Sequence, residues 1–344
     1  LTIGKLQKAY VCNLHVHLLH IACQAREPIR LSEHKGSAIR GALFEALRGP
    51  ERPSAEGWSG FCANKAAPSC RECPVSGVCP VMRLVSTLDE AATYGHEAPR
   101  PYVINPPLDG QRGYSAGDRF AFDLLLVGDA ASLFPYVVLA LDRLEHEGLG
   151  GKVEQADGRY RRGRASILNI ESVHPLRGEK APVLRQGSRT VQVPSLPITH
   201  EDVLAAAERL PASGSLRLRF LTPMRLIEQG QLLHEPRFGP LLQRLAERLR
   251  SLSQTFAGEP LPLDVRELRR LGDAVTLLQD GTRWLDLSGY STRLGRSQRI
   301  GGLVGEATYR AEDWRPISPW LVWGTILHVG KNAVKGDGWF EIRP

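Results

Sequence analysis

No stretch of this sequence approaches the roughly 20 consecutive apolar residues that a membrane-spanning helix needs. The opening segment, Leu1 to Tyr10, holds no charged stretch running into a long apolar one. A cytoplasmic protein with no membrane partner is therefore expected. Cysteine is scarce, with six residues in 344, and four of the six crowd between positions 62 and 79. That distribution excludes a chain-wide disulfide framework and, in a reducing compartment, points to metal. The marks of disorder are missing too, since a hydrophobic fraction of 42% and a charged fraction of 24% are ordinary for a globular chain.

What is present begins with length. At 344 residues the chain exceeds the usual single domain, so two domains, each with its own core, are expected. Lys plus Arg number 44 against 37 Asp plus Glu, a net charge of +7. The excess favours a polyanionic partner, and arginine, the side chain suited to bidentate phosphate contacts and base stacking, dominates it.

Hydropathy patterning then gives an order of elements. Residues 10–22 alternate as a half-buried strand, with Leu14, Val16 and Leu18 against Asn13, His15 and His17. Ser37 reads as the N-cap of a helix marked by Ile39, Leu43, Ala46 and Leu47. Residues 49–82 read as an irregular insertion. A strand at Phe120 to Val127, a helix at Pro135 to His146 and a basic strand at Tyr160 to Ile170 follow, five elements that are read into a strand, helix, strand, strand, helix, strand order, the ferredoxin-like pattern. The first domain is placed at 1–185, and a Pro- and Gly-bearing linker with one short helix at 186–213.

The second domain, 214–344, restarts the pattern. Leu216, Leu218 and Phe220 alternate with Arg217 and Arg219, so one strand face is apolar and the other basic. Leu241, Leu245, Leu249 and Leu252 mark an amphipathic helix. Strands at Trp284 to Leu287 and Leu303 to Tyr309, a helix opened by Ser318-Pro319 and a last strand at Trp339 to Ile342 follow. The fold class is α+β, with two ferredoxin-like domains in tandem.

Several groups of residues carry chemistry. His328-Val329-Gly330-Lys331-Asn332-Ala333-Val334-Lys335-Gly336-Asp337-Gly338 is a glycine-rich stretch with two lysines. Gly330 is expected to end the preceding helix with positive φ, while Gly336 and Gly338 would let backbone N–H groups approach a phosphate. The Gly-x4-Gly-Lys-Ser/Thr spacing of a nucleotide triphosphatase is absent there, and a plain helix-to-strand turn is the competing reading. Arg159, Arg161, Arg162 and Arg164 interleave with Tyr160 as an RNA-backbone surface with one stacking ring, or as a solvated basic strand. Arg293, Arg296 and Arg299 repeat that type of pattern.

Cys62, Cys70, Cys73 and Cys79 are spaced Cys-x7-Cys-x2-Cys-x5-Cys. Four thiolates satisfy tetrahedral zinc, so a structural zinc is the main expectation. An iron–sulfur cluster takes the same ligand set, and free thiols are the third reading. Cys12 and Cys23 read as buried small apolar residues. His15, His17 and His20 have no carboxylate or cysteine at matched spacing and are read as exposed or RNA-facing rather than metal-binding.

The glycine-rich stretch resembles the C-terminal loop of RAMP-superfamily CRISPR proteins. Gly289-Tyr290-Ser291-Thr292-Arg293 followed by Gly301-Gly302-Leu303-Val304-Gly305-Glu306 resembles the block that precedes that loop in the repeat-processing endoribonucleases, and Gly36-Ser37-Ala38-Ile39-Arg40-Gly41-Ala42 resembles the opening of their first helix. Departures are His328, where a glycine is often found, and Asp337, where an apolar residue is usual. The resemblance implies an antiviral-defence endoribonuclease that binds the hairpin of a CRISPR repeat and cuts once at its base, without a catalytic metal, leaving a 2′,3′-cyclic phosphate. The alternative is a non-cleaving RNA-binding RAMP subunit that grips guide RNA beside other CRISPR effector subunits.

His34 stands where such relatives often carry the catalytic histidine, and an imidazole can move the proton of a ribose 2′-hydroxyl or of a departing 5′-oxygen. Lys35 and Arg40, at the same helix end, would hold the scissile phosphate. His328 is the second candidate, and a helix-capping cation is its competing reading. Gly330, Lys331, Lys335, Gly336 and Gly338 would contact RNA, as would Arg293.

Overall fold

The computed structural model describes residues 13–50, 59–67, 70, 72–85, 99–188, 190–261, 263–291 and 296–343, with backbone alone at 288, 290–291 and 296–299. By internal packing the chain divides into two units. One comprises Val16–His174 and Gly178–Pro197, and the other Leu1–His15, Pro175–Arg177 and Ile198–Pro344.

The first unit runs β1 (Val16–Ala25), β2 (Ile29–Arg30), α1 (Lys35–Arg48), α2 (Pro80–Val85), β3 (Tyr102–Asn105), β4 (Gly113–Tyr114), β5 (Arg119–Val127), α3 (Phe134–Asp142), α4 (Leu144–Glu147), β6 (Leu149–Glu154), β7 (Tyr160–Gly163), β8 (Ala165–His174) and β9 (Glu179–Arg185). Its main sheet has the order β3-β5-β1-β8-β9, every pairing antiparallel. Without β9 that is the ferredoxin-like arrangement, in which the first strand is central. A smaller sheet, β4-β2-β6-β7, lies apart from it. Leu19 and Ile21 of β1, Leu124 of β5 and Ile170 of β8 are buried with Ile39, Leu43 and Leu47 of α1 and Val137 and Leu141 of α3.

Four expectations for this unit change. The N-cap of α1 is His34, and Ser37 lies inside the first turn, where its N–H receives the cap. The basic strand expected over 160–170 is two strands in different sheets, because the chain crosses β2 at Gly163, where a Cβ would fall 2.1 Å from the Pro28 carbonyl oxygen. The expected insertion is not irregular to its end, since α2 opens at Pro80. The helix expected over 135–146 breaks into α3 and α4 at Arg143.

The second unit runs α5 (His200–Ala207), β10 (Gly214–Met224), β11 (Ile227–Glu228), β12 (Gln231–Leu232), α6 (Phe238–Phe256), α7 (Val265–Asp273), β13 (Thr276–Leu285), β14 (Ser288–Ser291), β15 (Arg296–Arg299), β16 (Gly302–Ala311), α8 (Ser318–Leu327) and β17 (Phe340–Arg343). The sheet order β13-β16-β10-β17 is again ferredoxin-like and antiparallel throughout. Leu216, Leu218 and Phe220 face inward against Leu241, Leu245 and Leu249 of α6 and Leu321 and Trp323 of α8, all buried. Thr199 opens α5 with a full capping box to Asp202. The strand expected from Trp284 starts earlier, at Thr276, because β13 extends as an exposed edge whose outer residues carry no burial pattern. Helix α8 ends at His328, itself at φ +61°, and not at Gly330.

Candidate nucleic-acid interface

Helix α1 begins with a histidine doing a capping residue's work. The Ser37 N–H donates to Nδ1 of His34 at 3.1 Å, and the residue is only 4% exposed. A neutral ring that accepts at Nδ1 carries its proton on Nε2. A neutral His34 is thus arranged to donate from Nε2, and the Ser37 N–H is shared between its ring and its own carbonyl oxygen, also at 3.1 Å.

Lys35 is buried beside it and forms an ion pair with Asp109, while its Nζ also donates to the Pro107 carbonyl at 3.1 Å. Burial alone would raise the Asp109 carboxyl. Hydrogen bonds from Lys35, from the Tyr114 hydroxyl (2.7 Å) and from the Gln111 N–H (3.1 Å) outweigh it and hold the group below the usual carboxylate range. Burial and the bond to Asp109 in turn raise Tyr114. The Lys35 charge is therefore compensated. Arg40 is not: its Nε donates to the Tyr102 hydroxyl at 3.2 Å, and it forms no ion pair among the described residues. Arg40 thus lies in the second turn of α1 as a cation with no carboxylate partner among the described residues, and no acidic residue occupies the first turn.

The β6–β7 hairpin carries the interleaved arginines, and three of the four are neutralised. Arg161 reaches Glu27 at 2.6 Å and Asp157 at 2.7 Å, Arg164 reaches Glu27 at 2.5 Å, and Arg162 pairs with Glu45. Bonds from Arg164 and then Arg161 hold Glu27 down at about 2. Arg159 and Tyr160, which is 69% exposed, remain at the tip.

The glycine loop between α8 and β17 folds inward. The Gly336 N–H donates to Ala333 O at 3.0 Å, Gly338 N–H to Pro223 O at 3.0 Å, Lys331 N–H to Arg225 O at 3.0 Å and Lys335 N–H to Asn332 O at 2.7 Å. Those four N–H groups are used by the chain itself, unlike the phosphate cradle expected from the spacing. Gly330 and Gly338 are required for another reason. A Cβ at Gly338 would sit 1.8 Å from Val329 O, and one at Gly330 would sit 2.5 Å from Arg225 O. The Lys331 side chain is exposed, and that of Lys335 half-buried.

His328 lies under this loop, fully buried, its ring stacked on Trp339 at 5.6 Å and 10°. Burial, helped by the nearby Arg248 charge, pushes its pKa down to about 3, against a hydrogen bond with the Asp337 backbone. It is neutral at pH 7, so it is not a capping cation.

Two groups escape sequence reasoning. On β10, β16 and β17, cross-strand register puts Arg217, Arg219, Arg310 and Arg343 on one sheet face with Glu306 and Glu341. Arg217, Arg219 and Arg343 lie 3.7–3.8 Å from the Glu306 carboxylate, and Arg343 also pairs with Glu341 at 3.2 Å, so four arginines on this face meet two carboxylates and it stays basic. Arg217 and Arg219 alternate visibly in sequence, but only the register adds Arg310 and Arg343. In the first unit, His20 Nδ1 lies 2.7 Å from Asp123 Oδ1, and Asp123 Oδ2 accepts from Asn105 Nδ2 at 3.1 Å. The bond to Asp123 raises the His20 pKa against the effect of burial. Nothing in sequence spacing announces this pair, since the two residues meet only through the β1–β5 register.

Cys62, Cys70, Cys73 and Cys79 are half-buried and in no disulfide, and Cys23 is a buried thiol, pushed up to about 12 by burial. Among the described residues no group of three or more His, Cys, Asp or Glu is placed to hold a metal ion. Arg293 and Cys12 lie outside the described residues, and Arg296 and Arg299 are described in backbone only. Among the described residues no helix is long and apolar enough to cross a membrane.

A family model named AF_1859_N, an N-terminal domain, matches residues 14–196, and the model of the CRISPR-associated endoribonuclease Cas6 matches residues 218–340. No curated protein matches the sequence. A partial Cas6-RT-Cas1–Cas2 complex is similar in structure at a TM-score of 0.56 and 12% identity, over 96% of this chain and 46% of that one. A Cas6-RT-Cas1–Cas2 complex gives the same TM-score and identity over 29% of its chain. A Cas6 product complex matches at a TM-score of 0.50 and 16% identity over 95% of this chain and all of that one. The chain spans less than half the length of the first two, and at such identities the shared property is the fold.

Proposed function

Since this chain belongs to the CRISPR-associated repeat-processing proteins of RAMP type, with an AF_1859_N domain over residues 14–196 and a Cas6 endoribonuclease domain over residues 218–340, we propose that it binds CRISPR repeat RNA and cuts it without a catalytic metal. The match of the second unit to the Cas6 endoribonuclease carries this reading. In the reaction the 2′-hydroxyl oxygen attacks the adjacent phosphorus and the P–O5′ bond breaks. The 2′ proton leaves to a base, and the 5′-oxygen takes one up, leaving a 2′,3′-cyclic phosphate and a 5′-hydroxyl. No outside nucleophile is needed, so positioning and charge supply most of the acceleration.

His34 is the proton-transfer group we assign. Proton transfer by a positioned side chain is typically worth about 10²- to 10⁴-fold. Arg40 and the N–H groups of the first turn of α1 would hold the phosphate.

One observation favours the non-cleaving subunit as a second reading. Lys35 is already paired with Asp109, and Nδ1 of His34 is already engaged. Incubating the protein with its cognate repeat RNA in EDTA separates the two. A single cut, abolished in His34→Ala with RNA still bound, supports the enzyme, and retention without cutting supports the subunit. Normal cutting by His34→Ala moves the base elsewhere, with the Asp123-oriented His20 next and the buried His328 last. A structural zinc at the four clustered cysteines is proposed on their spacing alone, and elemental analysis of the purified protein before any chelator is added decides it.

A further inference from the structure

Trp284 stands half-exposed near the end of β13, with its indole Nε1 donating to Asp286 Oδ1 at 3.0 Å, which fixes the orientation of the ring. The exposed imidazole of His234 lies against it at 4.4 Å and 41°. The guanidinium of Arg225 lies over the ring at 6.0 Å from its centroid, held there by a bond to Gly301 O at 3.0 Å. Residues 225 and 234 and the distant residue 284 thus assemble one pre-ordered stack at the surface of the second unit.

The charges around it decide what it would take. Most arginines described above are paired with carboxylates, but Arg225 has no ion pair among the described residues. Its backbone carbonyl accepts the Lys331 N–H, so the glycine loop brings a second, exposed basic residue next to it along the chain. The neighbouring carboxylate, Asp286, faces the indole N–H. Aromatic and guanidinium planes flanked by uncompensated cations match a nucleotide, which offers a π face and a phosphate together. An apolar protein anchor would call for an apolar rim instead.

We propose that His234, Trp284 and Arg225 form a stacking platform for one unpaired nucleotide of the bound RNA, with Arg225 and Lys331 beside its phosphate. This rests on the RNA-binding reading above. Every position of the cognate repeat RNA would be replaced in turn by an abasic nucleotide, and binding measured on the wild-type chain and on Trp284→Leu. One unpaired position should cost wild type about 5- to 100-fold in affinity, the range of a base–aromatic stack. The same replacement should cost Trp284→Leu almost nothing more, and Trp284→Phe should restore most of the difference.

Abasic costs that are the same in wild type and Trp284→Leu overturn the platform while leaving RNA binding intact. So does a wild-type scan in which no unpaired position matters, an outcome that needs no variant to fold. If the wild-type chain binds no repeat RNA at all, the functional reading fails, and the platform with it.

Discussion

His34, His20 and His328 show how little a residue's identity fixes its chemistry. All three are imidazoles, yet the structure gives them three different surroundings. His34 is an N-cap acceptor, His20 is oriented by a carboxylate, and His328 is sealed against Trp339. Only its neighbour in sequence space, the start of α1, singled out His34 beforehand; the burial of His328 and the partner of His20 depend on contacts across strands and loops. The sealed ring has a measurable consequence. Its proton is held near its ordinary 6.5 in the unfolded chain and near 3 in the folded one. Between those values the unfolded state binds more protons, so stability present above pH 6.5 is lost as pH falls toward 3, by up to roughly 1.4 kcal/mol per pH unit. His328→Phe, which keeps a ring for Trp339, should flatten that limb when denaturation midpoints are compared at neutral and mildly acidic pH. Glu27, held down at about 2, acts in the same direction but only below its ordinary 4.5.

The glycine loop, at the scale of an element, is a clasp on the end of β10. The Thr222 hydroxyl donates to Gly336 O at 2.7 Å and accepts from the Trp339 N–H at 2.9 Å, and Val329 N–H donates to Gly338 O at 3.1 Å. Gly338→Ala puts a methyl into the Val329 carbonyl at a positive φ and should cost about 2–4 kcal/mol in chemical denaturation. Gly230 has φ +80° but open space around it, so Gly230→Ala should cost only about 1 kcal/mol. Sequence showed that the loop was glycine-dependent and where it lay. It did not show which way the N–H groups point, because a glycine spaced for a ligand and one spaced for a close backbone crossing look the same. Strongly periodic elements such as α6 were legible for the opposite reason, their leucines repeating on one face. Fully buried β3, with no alternation, and β9, inside a Pro-bearing stretch, carried no period to read.

Over the whole molecule, a net charge of +7 is less informative than where it is cancelled. On the β6–β7 hairpin Glu27, Glu45 and Asp157 absorb most of the arginine charge, and those pairs hold β7 to the rest of its unit. On the β10–β16–β17 face four arginines meet two glutamates. Arg217→Ala with Arg343→Ala should therefore weaken repeat-RNA binding and lower the salt slope by about 0.7–0.9 per lost phosphate contact. Arg161→Ala should leave the slope unchanged and lower the melting temperature instead, which titrations across salt and a thermal melt would distinguish. Composition indicated a polyanionic partner, but the division into spent and unspent arginines exists only once carboxylates from distant segments are in place.

The placement of β17 has a consequence in time. Residues 217–220 of β10 pair with Phe340–Arg343, so the central strand of the second unit waits for the last strand of its own sheet before its outer edge is closed. Closing so long a loop costs only slowly growing entropy, but contacts this far apart in the chain form late. A ribosome that has delivered β10 must finish more than a hundred further residues before that edge is covered, leaving a row of open N–H and C=O groups free to pair with another nascent chain.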